Sequence, residues 1–122
     1  MKFTDSHEWI EIESNQTGIV GVSIFAQKEL GDVVYVELPT IGKQVNEGQE
    51  VAVLESTKAA ADVYSPVSGT IIAVNEMLNK APELINQSPE KDGWIFKIGL
   101  SNPAELDLLM DSTEYQAMLN GA

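Results

Sequence analysis

Turn-forming residues recur at short intervals through the middle of this 122-residue chain, and they leave room for strands but not for long helices. The turns lie at residues 39–42, 46–48, 65–66 and 68–69. Short β-prone runs lie between them, at residues 33–38, 51–55, 62–64 and 70–74. Many short strands with closely spaced turns predict a small β-sandwich or barrel.

The N-terminal part of the chain predicts a hairpin followed by a short helix. Residues 8–13 alternate apolar and polar side chains, as a half-buried strand does, and residues 18–22 can form its hairpin partner. Ser23 can cap a helix over residues 24–30. Gly31 then stands where such a helix ends with a residue in the left-handed conformation.

The C-terminal part predicts a long connection, a strand and a closing helix. The connection spans residues 80–93, with a one-turn helix starting at Pro82, and the strand spans residues 94–100. A helix over about 103–118 is predicted from an N-cap, a proline at the first position and an acid three residues after the cap. These three residues are Asn102, Pro103 and Glu105.

An internal repeat organises the middle of the chain. Pro39-x-x-Gly42 and Pro66-x-x-Gly69 have the same spacing and lie 27 residues apart. Two similar β units in tandem indicate a pseudo-twofold arrangement within one domain, residues 1–122, whose core spans about 23–100. The midpoint of the repeat falls near residues 55–56, beside a polar turn that carries a single lysine, Lys58.

Composition narrows the possible functions. Seven basic residues, all lysines, face nineteen acidic ones, which gives a net charge of −12. This charge disfavours nucleic acid and anionic membranes as partners.

The chain has no cysteine, so disulfides, thiolate metal sites and a cysteine nucleophile are excluded. No catalytic constellation and no metal site is predicted, no window is apolar enough for a membrane span, and we expect a cytoplasmic protein.

Lys58 is the main candidate for chemistry. A lysine on an exposed turn keeps its amine accessible, and the small residues that follow it, Ala59–Ala61, leave room for a modifying enzyme. An amide formed on that amine replaces the positive charge with a long flexible arm. From spacing alone, the simpler alternative is an ordinary surface lysine.

The sequence around Lys58, residues 55–69 (ESTKAAADVYSPVSG), resembles the lipoylation region of the glycine cleavage system H protein family. The likeness continues in unbroken order over about residues 5–118. It includes the segments 6–9 (SHEW), 26–27, 30–39 (LGDVVYVELP), 84–86, 88–89, 93–94, 97–98, 100–103 and 105–106. Ala61 departs from the family, where a serine is common.

The resemblance implies a mostly β lipoyl-domain fold of the hammerhead or barrel-sandwich hybrid type. Two antiparallel sheets are accompanied by an N-terminal hairpin, a short helix and a C-terminal helix. Lys58 would carry lipoate as N6-lipoyllysine. The chain would be a monomeric carrier and not an enzyme. It would take the aminomethyl group of glycine from a pyridoxal-phosphate (PLP) decarboxylase to an aminomethyltransferase that uses tetrahydrofolate. An FAD-dependent dihydrolipoyl dehydrogenase and a lipoate-attaching enzyme would be its other partners.

The resemblance also assigns roles to six further residues. The loaded amine would be held in a surface cleft by Ser6, Glu8 and Asp62, although solvated acids beside a turn are the alternative for Glu8 and Asp62. Recognition by the lipoylating enzyme would involve Glu55, Gly42 and Gly69. For the two glycines, turn geometry with positive φ is the alternative.

Other functions stay open at this point. A biotinyl domain usually flanks its lysine with methionines, and the lipoyl domain of a 2-oxo acid dehydrogenase usually places Asp before it, whereas Thr57 and Ala59 flank Lys58. The sequence also does not distinguish a glycine cleavage carrier from an H-like protein that donates lipoate to other carriers. The lone His7 beside Trp9 is assigned a structural role.

Overall fold

Antiparallel pairing builds two sheets in the part of the chain that this computed structural model describes, residues 1–14 and 16–121. The strands are β1 (Lys2–Phe3), β2 (Glu8–Ser14), β3 (Thr17–Val22), β4 (Val33–Glu37), β5 (Gln44–Val45), β6 (Glu50–Ser56), β7 (Ala60–Tyr64), β8 (Gly69–Val74) and β9 (Phe96–Leu100). The helices are α1 (Ile24–Leu30), α2 (Met77–Lys80), α3 (Leu84–Gln87), a 3₁₀ helix (Pro103–Leu108) and α4 (Ser112–Leu119). One sheet has the order β1-β2-β3-β9-β8-β5 and the other β4-β6-β7. The predicted fold class, mostly β with two antiparallel sheets, is confirmed.

The N-terminal predictions are confirmed almost to the residue. Strands β2 and β3 form the expected hairpin, with Trp9 opposite Gly21. Ser23 caps α1, because its Oγ accepts the backbone N–H of Ala26 at 3.2 Å. Gly31 ends the helix with the predicted positive φ, +84°, but its ψ of −162° lies outside the left-handed helical region.

The two repeat units pair with each other between β5 and β8. Gln44 lies opposite Thr70 in this pairing. A twofold rotation with the 27-residue repeat would carry Gln44 to Ile71 and Thr70 to Lys43. Those two residues are also joined, because the N–H of Ile71 donates to the carbonyl of Lys43 at 2.9 Å. An antiparallel pairing between the two units is compatible with the predicted twofold, which stays a prediction.

The two repeated glycines are needed for different reasons. Gly42 has φ of +93° and open space around it, so the alternative given for this residue, turn geometry with positive φ, accounts for the glycine. Gly69 lies in β8 without positive φ, so turn geometry is the wrong explanation there. A Cβ at Gly69 would overlap the carbonyl oxygen of Gly99 on the neighbouring strand.

An apolar core fills the space between the two sheets, and a smaller cluster joins the chain ends. Fully buried core side chains include Ile10, Leu54, Ile71, Phe96 and Ile98. The smaller cluster centres on the buried residues Phe3, Trp9 and Tyr115, in which the rings of Phe3 and Tyr115 stack with their centroids 4.3 Å apart. This cluster fixes α4 against the N-terminal strands.

The predicted single helix over 103–118 is wrong. The chain instead forms the 3₁₀ helix and α4, separated by extended backbone. Met110 interrupts the helix because its backbone exchanges two hydrogen bonds with Phe3, at 2.8 and 3.0 Å. The capping box is at Asp111 and Glu114, while Asn102 makes no side-chain cap and Glu105 binds elsewhere.

Two other boundaries differ from the sequence prediction. The connection after β8 contains α2, which was not predicted, and a one-turn helix, α3, which starts two residues after Pro82. Strand β9 begins at Phe96 and not at Trp94. Among the described residues, no helix is both long and apolar enough to cross a membrane.

We expect Gly69→Ala to destabilise the fold by roughly 1–3 kcal/mol, because the methyl group meets backbone that cannot move aside. The measurement is the free energy of unfolding in urea. Gly99→Ala is the matched control, since its Cβ would lie 3.6 Å from the nearest atom, Cγ2 of Ile72. Equal stability of the two variants would contradict the steric explanation.

Candidate functional site

Lys58 lies at the tip of the hairpin that joins β6 to β7, and its side chain is exposed. The hairpin closes where the N–H of Ser56 donates to the carbonyl of Ala59 at 2.8 Å. Among the described residues the only ion pair joins Lys97 to Glu13, so the Lys58 ammonium has no carboxylate partner. Its amine is therefore accessible to a modifying enzyme.

Ser56 shapes the turn from within, and sequence reasoning missed it. Its Oγ accepts the backbone N–H groups of Lys58 and Ala59, each at 3.0 Å, and donates to the carbonyl of Ala59 at 3.1 Å. Serine hydroxyls commonly replace a backbone partner in tight turns, so the serine two residues before Lys58 was a usable signal.

A second set of contacts holds the turn against the loop that follows α1. The N–H of Thr57 donates to the carbonyl of Asp32 at 3.0 Å. The Lys58 stem crosses Gly31 so closely that a Cβ there would lie 2.8 Å from Cε. The base of the lysine arm is thus fixed while its amine stays in solvent.

The structure brings Ser6 and Glu8 together in a nearly closed hydrogen-bond network. The carboxylate of Glu8 is only 2% exposed. Its Oε1 accepts from the hydroxyls of Thr4, at 2.5 Å, and Ser6, at 2.6 Å, and its Oε2 accepts from the N–H of Tyr64 at 3.1 Å. Three donors stabilise this buried charge, so Glu8 has a structural role whatever else it does.

Asp62 lies on β7 between Lys58 and the Glu8 network. It is two residues before Tyr64, so both side chains leave the same face of the strand, roughly 7 Å apart. Its carboxylate is exposed and has no hydrogen-bond partner within residues 1–14 and 16–121. Of the two predicted cleft carboxylates, Asp62 is therefore the one whose oxygens are available to a new cation.

The three residues predicted for lipoylation recognition do not lie together. Glu55 is exposed at the end of β6, directly opposite Ala60, and belongs to the lysine hairpin. Gly69 belongs to the six-stranded sheet, and Gly42 is bonded to it through the carbonyl of Ile71 at 2.7 Å. The structure thus places Glu55 on the lysine hairpin, Gly69 in the other sheet and Gly42 in a turn that is bonded to that sheet.

His7 holds the chain ends together, which agrees with its predicted structural role. Its Nδ1 lies 2.7 Å from the hydroxyl of Tyr115, which lies 2.7 Å from Oγ of Ser23. Burial raises the pKa of Tyr115, and the charges of Glu90 and Glu8 raise it further, while the Ser23 hydrogen bond acts in the opposite direction. The phenol therefore stays protonated at neutral pH.

A cavity of about 440 Å³ lies away from this hairpin. It is lined by Phe3, Thr4, Asp5, Glu47, Pro66, Glu105, Leu108, Leu109 and Met110. Glu105 is already engaged, because both of its oxygens accept from Ser68, at 2.7 and 2.9 Å. Neither Lys58 nor Asp62 lines this cavity.

Comparison with known proteins gives one consistent result. The chain matches the sequence profile of the family described as Glycine cleavage H-protein over residues 1–122. It is 49% identical over 120 residues to the glycine cleavage system H protein of Photorhabdus laumondii, covering 98% of this chain and 92% of that protein. It is 52% identical over 115 residues to the H protein of Thermotoga maritima, covering 94% and 92%.

A solved structure agrees with the sequence matches. The crystal structure of a glycine cleavage system H protein from Mycobacterium marinum superposes with a TM-score of 0.88 at 32% identity, covering 99% of this chain and 96% of that one. The chain therefore belongs to the glycine cleavage H-protein family, and it is a non-catalytic lipoyl carrier that works with the other components of the glycine cleavage system.

Proposed function

We propose that Lys58 is the attachment point of lipoate, bound covalently as N6-lipoyllysine. The observation that carries this proposal is an exposed, unpaired amine at the tip of a hairpin whose backbone is held by Ser56 and Asp32. Amide formation removes the charge of the ammonium, and no carboxylate of the described chain loses a partner when that happens. The site thus accepts the modification without an electrostatic cost elsewhere.

The proposed cycle assigns the chemistry to the cofactor and the partner enzymes. When bound, the lipoyl group would supply a disulfide, one sulfur of which takes up the aminomethyl group while the PLP-dependent decarboxylase releases carbon dioxide from glycine. The aminomethyltransferase would pass the one-carbon unit to tetrahydrofolate and release ammonia, and the FAD-dependent dihydrolipoyl dehydrogenase would reoxidise the remaining dithiol. The protein supplies a rigid base for the arm and a surface that the partners recognise.

Asp62, Ser6 and Glu8 are proposed to receive the cationic amine of the loaded arm. Asp62 offers a carboxylate without a partner among the described residues, and Glu8 accepts the backbone N–H of Tyr64, two residues further along β7. An ammonium attracts charge-assisted hydrogen bonds from both. Because the oxygens of Glu8 already accept from three donors, we assign the larger share of this binding to Asp62.

Recognition by the lipoate-attaching enzyme is proposed to involve Glu55 directly, since it lies on the same hairpin as Lys58. Gly42 and Gly69 would contribute through the shape of the paired β units from which that hairpin projects. We further propose a monomeric protein of the bacterial cytoplasm, which the absence of cysteine suits.

The attachment site is tested by intact-mass measurement after expression with lipoate. We expect one lipoyl adduct on the unaltered protein and none on Lys58→Arg, which keeps the charge but cannot form the same amide. Lys43→Arg is the matched control, because Lys43 is also an exposed lysine at a turn. An adduct on Lys58→Arg would refute the assignment.

The role of Asp62 is tested by following ammonia release from the loaded protein in buffer. We expect Asp62→Asn to lose the arm's cargo on the order of tenfold faster, since a hydrogen bond to a charged group contributes about 1.5–3 kcal/mol. Asp107→Asn, an exposed acid in the 3₁₀ helix, makes the same charge change at a site outside the lysine hairpin. Equal release rates in the two variants would remove Asp62 from the cleft.

Carrier and lipoate-relay roles are separated by glycine–bicarbonate exchange with purified decarboxylase. We expect the lipoylated protein to support exchange and the Lys58→Arg protein to support none. A lipoylated protein that fails here, yet transfers lipoate to a second carrier, would favour the relay role.

A further inference from the structure

We propose that Asn86 is a positioning residue for Lys58, acting through the loop on which the lysine hairpin rests. The proposal deepens the proposed function, because it rests on lipoylation of Lys58. Asn86 touches neither the lysine nor the expected arm directly. Its effect passes through residues 31–33.

The side chain of Asn86 binds both ends of that loop. Its Nδ2 donates to the carbonyl of Gly31 at 2.8 Å, and its Oδ1 accepts the N–H of Val33 at 2.8 Å. A second Nδ2 contact reaches Oε1 of Gln27 in α1 at 3.1 Å. Ile85, the preceding residue in α3, is fully buried in the core, and Asn86 itself is half-buried.

The same loop carries the lysine hairpin. The residue between the two clamped positions, Asp32, accepts the N–H of Thr57 at 3.0 Å. Val33 lies opposite Ser56 in the pairing of β4 with β6. Gly31 lies against the Lys58 stem. Each of the three loop residues therefore contacts the lysine hairpin, and the hydrogen bonds of Asn86 fix the position of the loop.

The clamp requires an amide. Only a side chain with a donor and an acceptor on one planar group can satisfy the carbonyl of Gly31 and the N–H of Val33 together. An aspartate keeps the acceptor but places a second oxygen against the Gly31 carbonyl. The loop should then populate other positions, and the attaching enzyme would meet the correct hairpin geometry in a smaller fraction of molecules.

The test compares Asn86→Asp with Asn75→Asp. Asn75 is a matched control, because its buried amide also donates to backbone carbonyls, those of Asp92 at 2.9 Å and Trp94 at 2.8 Å, but it does not touch loop 31–33. The first readout is hydrogen exchange of the Thr57 amide in the unmodified protein, relative to the amide of the buried core residue Ile10 in β2. The second is the KM and kcat of lipoylation.

We expect Asn86→Asp, but not Asn75→Asp, to speed the relative hydrogen exchange of the Thr57 amide by about fivefold. This factor corresponds to the loss of one net hydrogen bond. The KM for lipoylation should rise, with kcat unchanged, by the factor by which the fraction of molecules with the competent hairpin geometry falls. If Asn75→Asp produces the same changes, or if Asn86→Asp leaves the exchange or the KM unaltered, the proposal is overturned. Should Asn86→Asp not fold, Asn86→Ser replaces it under the same criteria.

Failure of the proposed function gives a different result. If the unaltered protein acquires no lipoyl group at Lys58, the function is refuted while the exchange of Thr57 still reports on the clamp.

Discussion

The position of the lysine hairpin depends on the six-stranded sheet, in which β8 pairs with β5 on one side and with β9 on the other. At Gly69 in β8, the backbone of Gly99 in β9 approaches too closely for a side chain. The pairing of β5 with β8 joins the two repeat units. Between β5 and β8, the chain leaves the six-stranded sheet, forms β6 and β7 of the other sheet, and returns. Lys58 lies in the turn between β6 and β7.

A carrier of this kind needs a tether that is firm at its base and unrestrained at its end. The base is firm because Ser56 closes the turn from within and Asp32 holds it from the neighbouring loop. The ammonium itself has no partner among the described residues. The two acidic residues are divided in a similar way. The buried charge of Glu8 orders the N-terminal segment, while the exposed carboxylate of Asp62 stays available to a cation.

Local signals predicted the parts of the fold that depend on local physics. The alternation of residues 8–13, the Ser23 cap and the positive φ at Gly31 all follow from neighbours within a few positions. The C-terminal helix failed for the opposite reason. Two residues that are distant in sequence compete with the helix for its groups: Phe3 binds the backbone of Met110, and Ser68 binds the side chain of Glu105. A helix cap assigned from spacing alone does not include such long-range hydrogen bonds.

The sequence by itself determined the β-rich class, the 27-residue repeat, the turn that carries Lys58 and the family to which the chain belongs. Each of these depends on residue type and spacing along the chain. Only the tertiary structure decided that Glu8 is buried and saturated, that Gly69 is required by a neighbouring strand, and that Asn86 clamps the loop beneath Lys58. These depend on which groups meet across long sequence separations, because a hydrogen bond or a steric clash is set by distance in space.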